Sequence, residues 1–215
     1  MTTPSPETPE APSGTFPVSP ALAGLLPEGG LRRGTTVAAT GSAALVLALL
    51  AEATQAGSWA AIIGMPDLGV AAAAELGVKL DQLALIPDPG AELTAVLSTL
   101  IDGFDLVVLG PVAPRGVQPQ LARRLAGRVR NRGAVLLSTS PWPGADLELS
   151  VSQRRWHGIS ADGSGYLQSR ELVATSRGRG AAARPRTAAL LLPGPTGTVA
   201  RGEPRPGRRL TEVAG

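Results

Sequence analysis

The sequence predicts an α/β fold: a mostly parallel sheet flanked by helices, with antiparallel edge strands added at its C-terminal end. Three observations carry that prediction. From Thr35 to Ser138, short apolar runs trade places with helical stretches, the pattern of repeated strand-crossover-strand units. The runs, such as LVVL at 106–109, lack polar alternation, as strands covered on both faces do. After Pro141 the period changes to two, with Leu147, Leu149 and Val151 separated by polar residues, as in half-buried antiparallel strands.

Taken in order, residues 1–17 hold Pro4, Pro6, Pro9, Pro12 and Pro17 among Ser, Thr and Glu. That composition offers too little apolar area to offset ordering entropy, so a disordered leader is expected, followed by one domain over 18–193. Thr35 to Ala39 reads as a buried strand, Ser42 to Gln55 as a helix apolar nearly all round, and Trp59 to Ile63 as a second strand. Leu68 to Leu76 is Ala-rich and helical, and Leu83 to Ile86 is a strand. Ala91 to Ile101 carries Leu93, Val96, Leu97 and Leu100 at three- and four-residue spacings, which makes a helix with an apolar side. Asp105 to Leu109 is the clearest strand. Leu121, Leu125 and Val129 form an apolar stripe on a helix loaded with Arg123, Arg124, Arg128 and Arg130, and Ala134 to Ser138 is the next strand. The segments around 147–151, Leu167 and Leu172-Val173, and the run Ala188 to Leu192, read as antiparallel edge strands, with Asp162-Gly163 in the loop between the first two. Residues 194–215, rich in Gly, Pro and Arg, are expected to form a flexible tail.

Composition excludes several kinds of chemistry. With no Cys and one His, the chain has no disulfide framework, no cysteine nucleophile and no zinc site of the Cys/His type. Aromatic residues are 3% of the chain, which nearly excludes stacking platforms for bases. The N-terminus lacks the basic and apolar regions of a secretory signal, and the longest apolar run, Ala43 to Ala51, is too short to span a bilayer. A cytoplasmic protein without cofactor, metal or membrane is expected.

Charge is unevenly spread. Residues 1–110 carry three basic and eleven acidic residues, and residues 111–215 carry seventeen Arg against six acids. The basic second half points to an anionic partner. Arg177, Arg179, Arg184 and Arg186 put four guanidinium groups within ten residues, and with Arg123 and Arg128 they are candidates for weak, non-specific DNA contact or for an acidic protein surface.

The junction after the first core strand, Ala39-Thr40-Gly41-Ser42-Ala43-Ala44, is where a phosphate loop would lie. Such a loop needs several glycines, a Lys and a hydroxyl. Only Gly41 and Ser42 are present, and they read as an ordinary turn and helix N-cap. Asp105 stands at the start of its strand, the wrong end of a parallel strand for ligand work. Ser138-Thr139-Ser140 and His157 lack a nucleophile elbow, and His157 reads as a structural residue.

The layout resembles the RecA recombinase core. The stretch from Trp59 to Gly110, with AAELGVKLDQLALIPDPGAEL between two strands and DLVVLG at its end, is similar to the part of RecA between its catalytic-glutamate strand and its Walker B strand. The segment LVATSRGRGAAARPRTAALLLPG resembles the RecA stretch whose basic residues act on the neighbouring protomer's ATP. The resemblance implies a nucleotide site that has degenerated: the loop at Gly41 and Ser42 is short and lacks Lys, Met65 stands in place of the catalytic Glu, and Gly110 in place of the Walker B Asp. ATP hydrolysis is therefore not expected.

Within RecA-like proteins, GSWAAIIGMPDLGVAAAAELGV, RNRGAVLL followed by PWPGADLELSV, and SRGRGAAARPRTAALLLPGP are similar to the ImuA-type accessory proteins of actinobacteria. That resemblance implies a non-catalytic adaptor in DNA-damage-induced (SOS) mutagenesis. Its partners would be an ImuB-like inactive Y-family polymerase homologue and, indirectly, an error-prone C-family DNA polymerase for translesion synthesis. A SulA-like cell-division inhibitor and a residual P-loop ATPase are the alternatives. RecA protomers join through an apolar N-terminal helix, which the prolines at 4, 6, 9 and 12 forbid here. The acceptor region survives in Leu93, Val96, Leu97 and Leu100, the expected interface for a helix brought by the polymerase homologue; the alternative is that they face the domain's own sheet, as is expected for at least two of them.

Overall fold

The computed structural model describes residues 14–111, 117–160 and 162–203. The chain opens with β1 (Thr15–Phe16), which pairs antiparallel with β2 (Leu31–Arg32) around the short helix α1 (Pro20–Ala23). Five parallel strands follow, successive ones joined by crossovers: β3 (Thr35–Thr40), β4 (Ala60–Ile63), β5 (Leu83–Ile86), β6 (Leu106–Leu109) and β7 (Val135–Ser138). The connecting helices are α2 (Ala43–Gln55), α3 (Val70–Glu75), α4 (Leu93–Gly103) and α5 (Pro119–Arg132). The C-terminal part is β8 (Leu147–Ile159), β9 (Gly165–Gly178), β10 (Arg186–Leu191) and β11 (Ala200–Arg201). Together they form one nine-stranded sheet in the order β11-β10-β9-β8-β3-β7-β6-β4-β5.

Side chains alternate along the central strands between two apolar layers. Leu106 and Val108 of β6 join α2 on one face, with Val37 of β3 and Leu137 of β7. Val107 and Leu109 face the other way, onto Leu97 and Ile101 of α4 and Leu125 and Val129 of α5. This is why the strand sequences show no polar alternation. α2 is buried over most of its circumference, which matches its apolar sequence.

The mixed α/β class with antiparallel strands at the C-terminal end is as the sequence predicts, with three corrections. β8 is not antiparallel to the core: it pairs parallel with β3, and the antiparallel pairing of the large sheet begins between β8 and β9 and continues through β10 and β11. The period-two pattern reports one covered face, which either strand direction can have. The expected boundary at 17/18 moves, because Phe16 is buried under the Arg33 guanidinium, 3.8 Å from its ring centre. The boundary at 193 moves as well: Gly194 bonds Thr198 in a turn, and β11 adds to β10. Residues 1–13 and 204–215, the rest of the expected leader and tail, lie outside the described residues.

The C-terminal strands join the core through Asp146, just before β8. Its carboxylate accepts the Thr36 backbone N–H at 2.8 Å and the Thr36 hydroxyl at 3.0 Å, and Thr36 is buried. Asp146→Ala leaves both donors without an acceptor and should cost about 1–3 kcal/mol of stability. Urea unfolding of that variant beside Asp146→Asn, which keeps an acceptor oxygen, checks this.

Candidate functional site: the closed strand ends

In a parallel sheet the carboxyl ends of the strands are where ligands bind. Here β3 ends in Gly41, whose φ of +87° makes the sharp turn into α2. Ser42 caps the helix, its hydroxyl accepting the Leu45 N–H at 3.3 Å. Two guanidinium groups from the β8–β9 hairpin then cover the loop. Arg154 donates to the Gly41 carbonyl, and Arg170 Nη2 donates to Ser42 Oγ at 3.2 Å while its Nε bonds the Leu192 carbonyl at 2.9 Å. Burial, and secondarily the nearby Arg154 charge, lower the Arg170 pKa from its ordinary value. The place of a phosphate is thus overlaid by the chain's own cations.

The other two positions are closed by packing. Gly110 follows β6 and donates its N–H to the Ile63 carbonyl at 2.7 Å. A Cβ built there would lie 2.1 Å from the Gly64 carbonyl oxygen and 2.6 Å from Met65 Cγ. No side chain fits, an aspartate included. Between these strand ends and α2 lies an apolar pocket of about 300 Å³, lined by Ala43, Ala44, Leu47, Met65, Leu68 and Leu76, with Asp67 its one charged lining residue among the described residues. Among the described residues, no group of three or more His, Asp or Glu is placed to hold a metal ion, and no helix is long and apolar enough to cross a membrane.

The expected interface helix is divided. Leu97 and Leu100 are buried in the layer beneath α4, so they are core and not a docking face. Leu93 and Val96 are half-buried and pack at the edge of the same layer. The spacing that makes a helix amphipathic cannot by itself tell an inward stripe from an outward one.

The arginines divide in the same way. Arg128 and Arg132 both grip Asp102, clamping α5 to α4, and Arg177 pairs with Glu148 at 2.8 Å. Arg128 and Arg177, both expected DNA or partner contacts, are thus each matched by an acid of the fold. Arg123 and Arg179 are exposed and, with Arg130, line an open groove of about 470 Å³ between α5 and the Pro143-Gly144 turn. Arg184 is exposed, and Arg186 is half-buried. His157 bonds Glu171 at 3.2 Å, while the Ser138 hydroxyl is absorbed by the Ser140 backbone. Asp105 accepts the Trp59 N–H at 3.0 Å at the amino end of the strands, away from the ligand end. Arg154 and Arg170 are the residues that sequence reading missed; the break in period-two alternation after Ser152 is their signal.

Fold and site together define a mixed α/β protein with a large, mostly parallel sheet and antiparallel C-terminal strands. Residues 24–144 match the family described as MT3502 N-terminal domain, and the chain belongs to that family. It is 38% identical over 164 residues to the uncharacterized protein Rv3395c of Mycobacterium tuberculosis, covering 72% of this chain and 80% of the relative. The family match ends before β8, so the hairpin that covers the loop lies beyond it.

Two predictions follow from this geometry. Gly110→Ala drives a methyl into the Gly64 carbonyl and should destabilise the fold by about 1–3 kcal/mol, read as a lowered thermal midpoint. The Arg128 hydrogen bond, helped by Arg132, holds the Asp102 carboxyl down at about 2 from 3.8. A pKa depressed by folding adds stability present above the unfolded value and lost as pH falls through the folded one. Asp102→Asn should therefore be less stable than the native chain at neutral pH, with the gap closing between about pH 4 and about pH 2 in urea titrations.

Proposed function

We propose that the chain is a non-catalytic RecA-like adaptor in DNA-damage-induced translesion synthesis, of the ImuA type. In this reading it holds an ImuB-like, inactive Y-family polymerase homologue and, through it, an error-prone C-family DNA polymerase. The observation that carries the proposal is that a side chain at Gly110 would begin 2.1 Å from the Gly64 carbonyl oxygen. This closeness removes the metal-holding carboxylate and the room for one, while the sheet and its helices remain intact. A scaffold that keeps its fold but closes its ligand end is suited to binding another protein.

The sequence resemblance to ImuA-type proteins supports the pathway, and the mycobacterial relative is in keeping with an actinobacterial family. For the partner surface, Leu93 and Val96 are the members of the α4 set that remain partly accessible. A helix docked in a groove depends on a few anchors. Leu93→Asp and Val96→Asp should each weaken capture of the co-expressed polymerase homologue by about 2 kcal/mol or more, with unchanged circular dichroism. Full-strength capture by both variants moves the interface elsewhere. Micromolar binding of ATP with Mg²⁺ in calorimetry, about −8 kcal/mol, overturns the non-catalytic reading.

A further inference from the structure

The β8–β9 hairpin outgrows its sheet. β8 pairs with β3 only as far as Ser150, and β9 pairs with β10 only from Glu171, so residues 153–160 and 162–169 stand beyond the other strands as a two-stranded arm, with Arg170 at its base bonded to Leu192 and Pro193. An isolated hairpin is marginal in water, and this one is anchored at its base by the Arg154 and Arg170 contacts to Gly41, Ser42 and Leu192. A bulge with Gln153 at φ 49° breaks the alternation there. It turns Arg154 back to the loop and places Trp156 across from Arg170, whose guanidinium carbon lies 5.4 Å from the ring centre.

The arm carries an unusual set of side chains for a chain with 3% aromatic residues. Trp156 is 45% exposed, the sole Tyr of the sequence, Tyr166, is 71% exposed, and Ile159 and Leu167 are exposed beside them. Arg154 and Arg155 immediately precede the indole in sequence and are exposed. The acids of the arm are engaged: Glu171 faces His157 at 3.2 Å, and Asp162 is held in its own turn by the Ser164 N–H at 3.1 Å and hydroxyl at 2.7 Å. Among the described residues Arg154 and Arg155 form no carboxylate ion pair of the kind that holds Arg128 and Arg177, and Arg155 stands across from Glu171 in the register.

We propose that this arm is a contact site for single-stranded nucleic acid, with bases stacking on Trp156 and Tyr166 and phosphates meeting Arg154 and Arg155. Exposed aromatic faces combined with unneutralised arginine are what sequence-tolerant single-strand binding uses. An apolar protein partner would account for the rings without the guanidinium groups. The inference does not depend on the adaptor proposal, since oligonucleotide binding and polymerase-homologue capture are separate readouts.

The test is fluorescence anisotropy of a labelled thymidine oligonucleotide with the full chain. The native protein should bind, and log affinity should fall with log salt by about 0.7 for each phosphate neutralised. Trp156→Ala and Tyr166→Ala should each weaken binding about tenfold or more, the size of one lost stack. Tyr166→Phe, which keeps the ring, should bind as the native chain does. Circular dichroism confirms that the variants fold. Absence of binding at low salt overturns the proposal, as does native affinity in both folded Ala variants. Loss of polymerase-homologue capture with unchanged oligonucleotide affinity assigns the arm to protein contact and overturns it equally.

Discussion

Burial of the parallel strands on both faces is the constraint from which the rest of the molecule is arranged. Every residue of β4, β6 and β7 is buried, and their side chains are divided between the α2 layer and the α4–α5 layer. Each fully buried aliphatic side chain contributes about 1.5–3 kcal/mol of transfer free energy. Strand interiors therefore have no room for charge, and polar chemistry is pushed to strand ends, helix exteriors and the hairpin arm.

At the strand ends, packing and the arm's arginines meet. Gly110 closes on Gly64, Met65 contributes to an apolar pocket, and the Arg154 and Arg170 groups lie over Gly41 and Ser42. These contacts link two parts of the fold. The hairpin arm is held in place by the same loop that would cradle a phosphate in a nucleotide-binding relative of this architecture. One local arrangement thus ties the turn into α2 to the anchoring of the arm.

Arginine has two physical uses here, and the structure separates them. Arg128 and Arg132 converge on Asp102 to join neighbouring helices, while Arg177 is matched across strands by Glu148. Arg123, Arg130 and Arg179 instead face an open groove, and Arg154 and Arg155 lie on the arm. The net positive charge of the second half is thus partly consumed internally, and only the remainder shapes the electrostatic surface seen by a partner.

The sequence by itself determined the class of fold, the order of the core strands and helices between Thr35 and Ser138, the Ser42 cap and the lack of a lysine in the loop. These properties are local: an apolar run, a helical period or a missing residue type is visible without knowing what lies across the fold. The sequence also marked Leu93, Val96, Leu97 and Leu100 as one apolar set, but only packing against β6 and α5 decided that Leu97 and Leu100 are core. Tertiary structure likewise decided the parallel direction of β8, the membership of Phe16 and of residues 194–203 in the fold, and the pairing of Arg128 with an acid 26 positions away. The meaning of Gly110 was decided at the same level, because its constraint comes from the carbonyl of Gly64, just past the end of β4. Residues distant in the chain meet only when the sheet closes, and no periodicity in either segment records that meeting.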